Sequence, residues 1–186
     1  MPTASAAAAP TPSGRRPSDM LRPGLSLAAL IVVLDQLSKY WIVELVMRPE
    51  GVTGTPFFTP YRVELLPVFD LVMTWNRGVS FGIFNNAGDW NAVLLSALSL
   101  VISAGLAAWM RKAETRFVAL ALGLVVGGAL GNVVDRVRWG AVADFLDVHV
   151  GGYHWPAFNV ADSAITIGAV LLVLDSLFGR RNSAKN

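Results

Sequence analysis

Apolar residues run in four long stretches along the chain, separated by segments in which charged residues, glycine and proline are frequent. The stretches cover about residues 25–47, 90–110, 117–134 and 157–178. Each is long enough to cross a bilayer as a helix, which takes about 20 residues. A helix is the expected form, because lipid offers no hydrogen-bond partner to backbone N–H and C=O groups. The pattern therefore predicts an all-α membrane protein with four transmembrane helices.

Two segments between the spans follow a different pattern. Residues 60–76 and 138–150 are rich in valine, leucine and aromatic residues with partial alternation, which is typical of short strands. Residues 78–88 place Phe81 and Phe84 three positions apart, as on a short amphipathic helix that lies on the membrane surface. We therefore expect a small β-sheet and one surface helix beside the four spans, on a single face of the membrane.

The two ends of the chain differ from the spans. Residues 1–24 are rich in alanine, proline and serine and are predicted to form a disordered extension, and residues 179–186 form a polar tail. Basic residues accumulate before the first span, between the second and third spans, and in the tail. By the positive-inside rule these segments are cytoplasmic. Both termini are then cytoplasmic, and the strand segments face outward.

Composition supports this assignment and removes several classes of function. The 186 residues are 54% hydrophobic and 15% charged, against roughly 25% charged in an average soluble domain. A net charge of +2 without a basic patch argues against binding to nucleic acid. The chain has no cysteine, and His149 and His154, its only histidines, lack the spacing of a zinc motif. We therefore expect one domain with no metal site and no cofactor.

Polar residues that interrupt the spans are informative, because an ionisable group inside a membrane usually faces protein or water. Asp35 and Lys39 lie four positions apart and can form an ion pair on one helix face. Further polar residues fall at the outer ends of the third and fourth spans, namely Asn132, Asp135, Arg136, Asn159 and Asp162. Asp144 lies on the strand segment between them. Glycine at every fourth position from Gly123 to Gly131 permits close helix packing here.

This clustering leaves two functions open. Asp144 and Asp162, if they are adjacent, can share one proton, so that one activates water while the other protonates the leaving group, as in an aspartic protease. The alternative is a small proton-coupled transporter with a relay built from Asp35, Lys39, Asp135 and Asp162. Transporters of that kind have internal repeats and broken helices, of which the sequence gives no sign. A non-catalytic membrane adaptor would leave the clustered carboxylates unexplained.

Five ordered segments resemble the motifs of bacterial lipoprotein signal peptidase, a family also called signal peptidase II. They cover residues 35–39, 76–81, 128–136, 142–145 and 158–163. The similarity extends in order from about Leu25 to Phe178, and only the two ends of the chain fall outside it. Val79 and Ser80 stand where the family commonly has alanine.

The resemblance implies four spans, an extracytoplasmic β-cradle, a short surface helix and the activity of an aspartic endopeptidase. Its partners would be membrane lipids and its substrate, a lipid-modified prolipoprotein cut just before a diacylglyceryl-modified cysteine. By motif position, Asp144 and Asp162 would be the catalytic pair. The other matched residues would support the pair or bind substrate, and they are Asp35, Lys39, Asn76, Gly78, Asn132, Asp135, Arg136 and Asn159. The protein would act as a monomer in the bacterial cytoplasmic (inner) membrane, with its active site at the outer face.

Overall fold

The computed structural model of the chain describes residues 17–56, 61–78 and 90–183. The long helices are α1 (Pro17–Tyr40), which a π-helical segment (Trp41–Val46) continues, α2 (Trp90–Met110), α3 (Arg116–Trp139) and α4 (Val160–Ser183). The strands are β1 (Arg62–Leu66), β2 (Phe69–Asn76), β3 (Val142–Val150) and β4 (Tyr153–His154). Four helices are long and apolar enough to cross a membrane, so the predicted fold class is confirmed. The predicted surface helix, apart from residue 78, and the first 16 residues of the predicted extension lie outside the described residues.

Helix α3 lies at the centre of the bundle and packs against α1, α2 and α4. Its apolar segment is 67% buried, against 17% in each of the other three spans. The glycine stripe explains this close packing, because a β-carbon on Gly127 would lie 2.7 Å from the carbonyl oxygen of Ala28. Gly123 likewise faces the backbone of Gly24. Small residues thus let the backbones of α1 and α3 approach each other.

Helix α1 begins at Pro17, so the prediction of disorder is wrong for residues 17–24. Met20 and Leu21 explain the difference, because they pack against a buried cluster around Met110 at the end of α2. Proline is also tolerated in the first turn of a helix, where its missing N–H is not needed. The composition of this segment gave no sign of a contact with another helix.

The four strands form one antiparallel arrangement in the order β1-β2-β3-β4. The register places Thr74 of β2 opposite Asp144 of β3, and Asp70 opposite Asp147. A hydrophobic cluster attaches the sheet to the π-helical segment that continues α1. Its buried members are Ile42, Val43, Met47, Leu71, Met73, Ala143 and Phe145. Asp144 therefore lies on a strand that is fixed to the end of the helix bundle.

Helix α3 extends five residues beyond the end of its predicted span, because it continues through Asp135 and Arg136 to Trp139. These charged residues do not end the helix, since both find partners inside the protein. Gly140 ends it instead, in the left-handed conformation (φ 69°) that favours glycine. The last turns of α3 thereby carry polar groups up to the sheet.

Candidate active site

Asp162 lies in the first turn of α4 and pairs with the residue that caps this helix. The side-chain oxygen of Asn159 accepts a hydrogen bond from the N–H of Asp162 at 2.9 Å, and Asp162 Oδ2 accepts from the N–H of Asn159 at 3.3 Å. This reciprocal arrangement is a capping box, which satisfies N–H groups that the start of a helix leaves free. It also orients the carboxylate, whose Oδ1 accepts from Asn132 Nδ2 at 2.8 Å.

Asp144 lies on β3 and is 2% exposed. Asn159 Nδ2 donates to its Oδ1 at 2.7 Å, and Asn76 Nδ2 donates to its Oδ2 at 3.1 Å. Burial raises the pKa of Asp144 from 3.8 to about 8, and the negative charge of Asp162 adds to the shift. The Asp144 carboxyl group therefore holds its proton at neutral pH.

Asn159 connects Asp144 to Asp162. Its Oδ1 accepts from the backbone of Asp162 and its Nδ2 donates to Asp144, so one side chain contacts both residues. The same Nδ2 lies 3.3 Å from Asn132 Oδ1, and Asn132 in turn donates to Asp162. Asp144, Asp162 and the two asparagines thus form one hydrogen-bonded group, which we call the carboxylate group.

Beside the carboxylate group lies a buried ion cluster formed by Lys39, Asp35 and Asp135. Lys39 Nζ is 2.7 Å from Asp35 Oδ2 and 2.7 Å from Asp135 Oδ2, and none of the three side chains is exposed. The same ammonium group donates to Asn132 Oδ1 at 3.3 Å. Asn132 therefore connects the ion cluster to the carboxylate group.

The carboxylates of the ion cluster also bind the backbone of other elements. Asp35 Oδ1 accepts from the N–H of Ala161, in the first turn of α4, at 3.0 Å. Asp135 Oδ2 accepts from the N–H of Ala143, on β3, at 3.2 Å. These bonds fix the two elements that carry the carboxylates of the carboxylate group.

Gln36 belongs to the ion cluster and was not predicted as a site residue. Its amide donates to Asp135 Oδ1 at 2.8 Å, to Asp35 Oδ2 at 3.2 Å and to the carbonyl of Gly131 at 3.3 Å. A signal was present in the sequence, because a glutamine inside an apolar span needs hydrogen-bond partners. The sequence does not show that α3 supplies them.

Arg136, Gly78 and Asn76 border the carboxylate group on the side of the sheet. Arg136 Nη2 donates to the carbonyl of Gly78 at 3.4 Å, and the N–H of Gly78 donates to Asn76 Oδ1 at 3.0 Å. Asn76 in turn donates to Asp144. The end of β2 is therefore tied both to α3 and to one of the carboxylates.

A cavity of about 660 Å³ lies beside the carboxylate group, and its volume is typical of ligand pockets. Asn76, Asn132, Arg136 and Asp162 contribute to its polar lining. Helices α2 and α4 both pack on α3 but hardly touch each other, and residues of all three helices line the cavity. The cavity therefore occupies the gap between α2 and α4, and Asp162 is part of its lining.

Comparison with known proteins shows the family. The sequence model described as signal peptidase (SPase) II matches residues 27–178. The chain belongs to the signal peptidase II family. A lipoprotein signal peptidase of Methylorubrum extorquens (strain PA1) is 47% identical over 156 residues, which cover 84% of this chain and 86% of the relative. One of Methylobacterium radiotolerans is 46% identical over 168 residues, covering 88% and 91%.

The fold comparison agrees with the family. A bacterial membrane enzyme solved by the in meso method at 2.3 Å resolution superimposes with a TM-score of 0.68 and 28% sequence identity, covering 86% of this chain and 90% of that one. A second structure of a bacterial membrane enzyme gives a TM-score of 0.66 at the same identity, covering 84% and 94%. The prediction of a signal peptidase is confirmed, and the transporter alternative receives no support.

Within this family fold, every residue of the predicted site lies in one connected set of hydrogen bonds and ion pairs. The connections run from Arg136 through Gly78 and Asn76 to the carboxylate group, and from there through Asn132 to the ion cluster. The residues were matched to motifs that lie far apart in the sequence. Their convergence in the fold is the geometric basis for the function proposed below.

The two histidines lie apart from this set, on β3 and β4. His149 Nε2 is 3.1 Å from Asp70 Oδ2, and His154 Nδ1 is 2.8 Å from Asp147 Oδ2. Arg62 contacts both of these carboxylates. Within residues 17–56, 61–78 and 90–183, no group of three histidine, cysteine or acidic side chains is arranged to hold a metal ion.

Proposed function

We propose that the chain is an aspartic endopeptidase with Asp144 and Asp162 as its catalytic pair. It removes signal peptides from lipid-modified prolipoproteins and cuts just before the diacylglyceryl-modified cysteine. The observation that carries the proposal is the position of Asn159, whose side chain hydrogen-bonds to both residues. The names of the relatives, lipoprotein signal peptidases, support the substrate class.

Asn159 links the Asp144 carboxylate to the first turn of α4, which carries Asp162. In the proposed mechanism the two carboxyl groups share one proton, because two adjacent negative charges repel each other. The pKa of Asp144, about 8, keeps that proton on Asp144 at neutral pH. Asp162 is then the ionised member and takes a proton from a water molecule. The water oxygen attacks the carbonyl carbon of the scissile bond, while Asp144 protonates the carbonyl oxygen.

The second step returns both residues to their starting state. The C–N bond of the tetrahedral intermediate breaks, and the proton held by Asp162 passes to the leaving amine. Asp144 recovers its proton from a hydroxyl group of the intermediate as the new carboxyl group forms. These two reaction steps need no metal ion, because the two carboxyl groups supply both the acid and the base.

The other residues of the set act by holding this pair and its substrate. Asn132 accepts from Lys39 and donates to Asp162, so the ion cluster positions the pair without touching the reacting atoms. We assign this supporting role to Asp35, Lys39, Asn132, Asp135 and Asn159. We assign contacts with the substrate backbone to Asn76, Gly78 and Arg136, which line the cavity.

The orientation of the protein follows from the same proposal. Four spans return the chain to its starting side, so both termini share one face of the membrane. Basic residues in the turn between α2 and α3, such as Arg111 and Lys112, favour the cytoplasm for that face. The site then lies at the outer face of the bacterial cytoplasmic membrane, and a signal peptide enters from the lipid between α2 and α4. We expect the protein to act as a monomer.

The test uses the purified protein, a lipidated prolipoprotein and detection of the shorter product. Asp144→Asn and Asp162→Asn are each expected to abolish cleavage, since neither variant retains a pair that can hold and move the proton. Asp147→Asn is the matched control, because Asp147 lies on β3 but pairs with Arg62 and His154 away from the site. Cleavage that survives in Asp162→Asn, or that is lost equally in Asp147→Asn, would contradict the assignment.

A further inference from the structure

A membrane protease has to bind its substrate in an unwound form at the scissile bond, because the carbonyl groups of a helix are engaged in its own hydrogen bonds. Inside the membrane, an unwound segment exposes N–H and C=O groups to an environment without water. The protein must therefore supply polar partners on the side of the site from which the apolar signal peptide enters. Such partners are expected in the cavity, beyond Asp162.

Two hydroxyl groups of the cavity lining meet this need. Ser99 of α2 and Thr166 of α4 line the gap from different helices. A serine in a membrane helix often hydrogen-bonds back to its own helix, as Ser163 does by donating to the carbonyl of Asn159 at 2.9 Å. Ser99 and Thr166 make no such side-chain bond within the described part of the chain. Their hydroxyl groups are therefore available to a bound peptide.

The position of Thr166 defines which part of the peptide it can reach. Thr166 follows Asp162 by four residues, so it lies on the same helix face and about 6 Å farther along α4. An extended chain covers this distance in about two residues, at roughly 3.3 Å per residue. Ser99 lies nine residues after Trp90, the first residue of α2, and is therefore well inside the apolar part of the bundle.

We propose that Ser99 and Thr166 bind the substrate backbone two to three residues before the scissile bond and hold that segment extended within the membrane. This inference rests on the proposed function and adds a binding subsite to it. A hydroxyl group can donate to a carbonyl and accept from an N–H, so either backbone group can be its partner. The two residues position the substrate and take no part in the proton transfers.

The test combines two variants that lack the hydroxyl group with substrates that carry one amide-to-ester replacement. Ser99→Ala removes the hydroxyl group, and Thr166→Val replaces it by a methyl group. The ester removes one backbone N–H and weakens one carbonyl acceptor at a chosen residue. With the all-amide substrate, each variant should lower kcat/KM about two- to tenfold, the effect of one neutral hydrogen bond. An ester two or three residues before the cysteine should then lower kcat/KM by a smaller factor in the variants than in the parent protein.

The coupling between variant and ester distinguishes substrate binding from a general loss of structure, which would slow all substrates alike. Thr166→Ser keeps the hydroxyl group, so the ester should lower kcat/KM in this variant by the same factor as in the parent protein. Ser176→Ala, on an exposed position of α4, is the matched control and should leave every rate unchanged.

Equal ester effects in the parent and in both variants would overturn the subsite. The same assay tests the proposed function separately, through cleavage by the parent and loss of cleavage in Asp162→Asn. A failure of the subsite is therefore distinguishable from a failure of the catalytic assignment.

Discussion

Replacing Lys39 by methionine tests the ion cluster, because methionine is a side chain of similar length without the charge. Lys39 Nζ lies 2.7 Å from a carboxylate oxygen of Asp35 and 2.7 Å from one of Asp135, with all three side chains fully buried. Breaking a buried ion pair by removing one partner typically costs about 3–5 kcal/mol, because the other charge is left uncompensated. Two carboxylates lose the same cation here, so we expect a loss of about 5 kcal/mol. That is a large part of the ~5–15 kcal/mol that stabilises a typical domain.

The loss is measured as the change in the free energy of unfolding, by titration with SDS in mixed micelles and circular dichroism. Lys112→Met, at an exposed lysine between α2 and α3, is the control and should change the free energy by less than about 0.5 kcal/mol. Adding Asp35→Asn and Asp135→Asn to Lys39→Met should recover most of the stability, because no buried charge then remains unpaired. A Lys39→Met variant within about 1 kcal/mol of the parent would refute the reasoning.

Two further predictions concern the carboxylate group. In the proposed mechanism, cleavage requires the protonated form of Asp144, whose pKa is raised by burial and by the charge of Asp162 to about 8. Initial rates should therefore stay constant from neutral pH to about pH 8 and fall about tenfold per pH unit above it. A flat profile up to pH 10 would contradict this role. Asn159→Ala should abolish cleavage and lower the free energy of unfolding by about 0.5–2 kcal/mol through loss of the helix cap. Asn159→Ser keeps an oxygen at the capping position but loses the amide N–H that donates to Asp144, so it should recover part of the stability but not the activity. Equal stability of the alanine and serine variants would count against the cap.

The spans and the pairing of Asp35 with Lys39 could be predicted from the sequence, because both follow from local spacing and from the cost of polar groups in lipid. The meeting of Asp144 with Asp162 was a different kind of prediction. Spacing suggested it as one of two functions, and the family resemblance then favoured it. Neither argument indicated that the side chain of Asn159 would connect the two residues.

Local sequence patterns could not show which residue on another helix or strand forms the hydrogen bond or ion pair of each polar group. The predicted third span ended at residue 134, and Asp135 was placed at its outer end. In the structure it remains helical, since Lys39 and Gln36 of α1 contact its two oxygens. The start of α1 at Pro17 has the same kind of cause, because its first turns pack against residues about 90 positions away in the sequence.

The order of synthesis gives the capping arrangement a biological consequence. Helix α4 is synthesised last. It carries Asp162 and also Ala161, whose N–H donates a hydrogen bond to Asp35. If Asp144 and Asp162 are the catalytic pair as proposed, a nascent chain with only three helices in the bilayer lacks one of the two carboxylates and cannot cut. On that assignment, proteolytic activity begins only after the final helix has docked against α3.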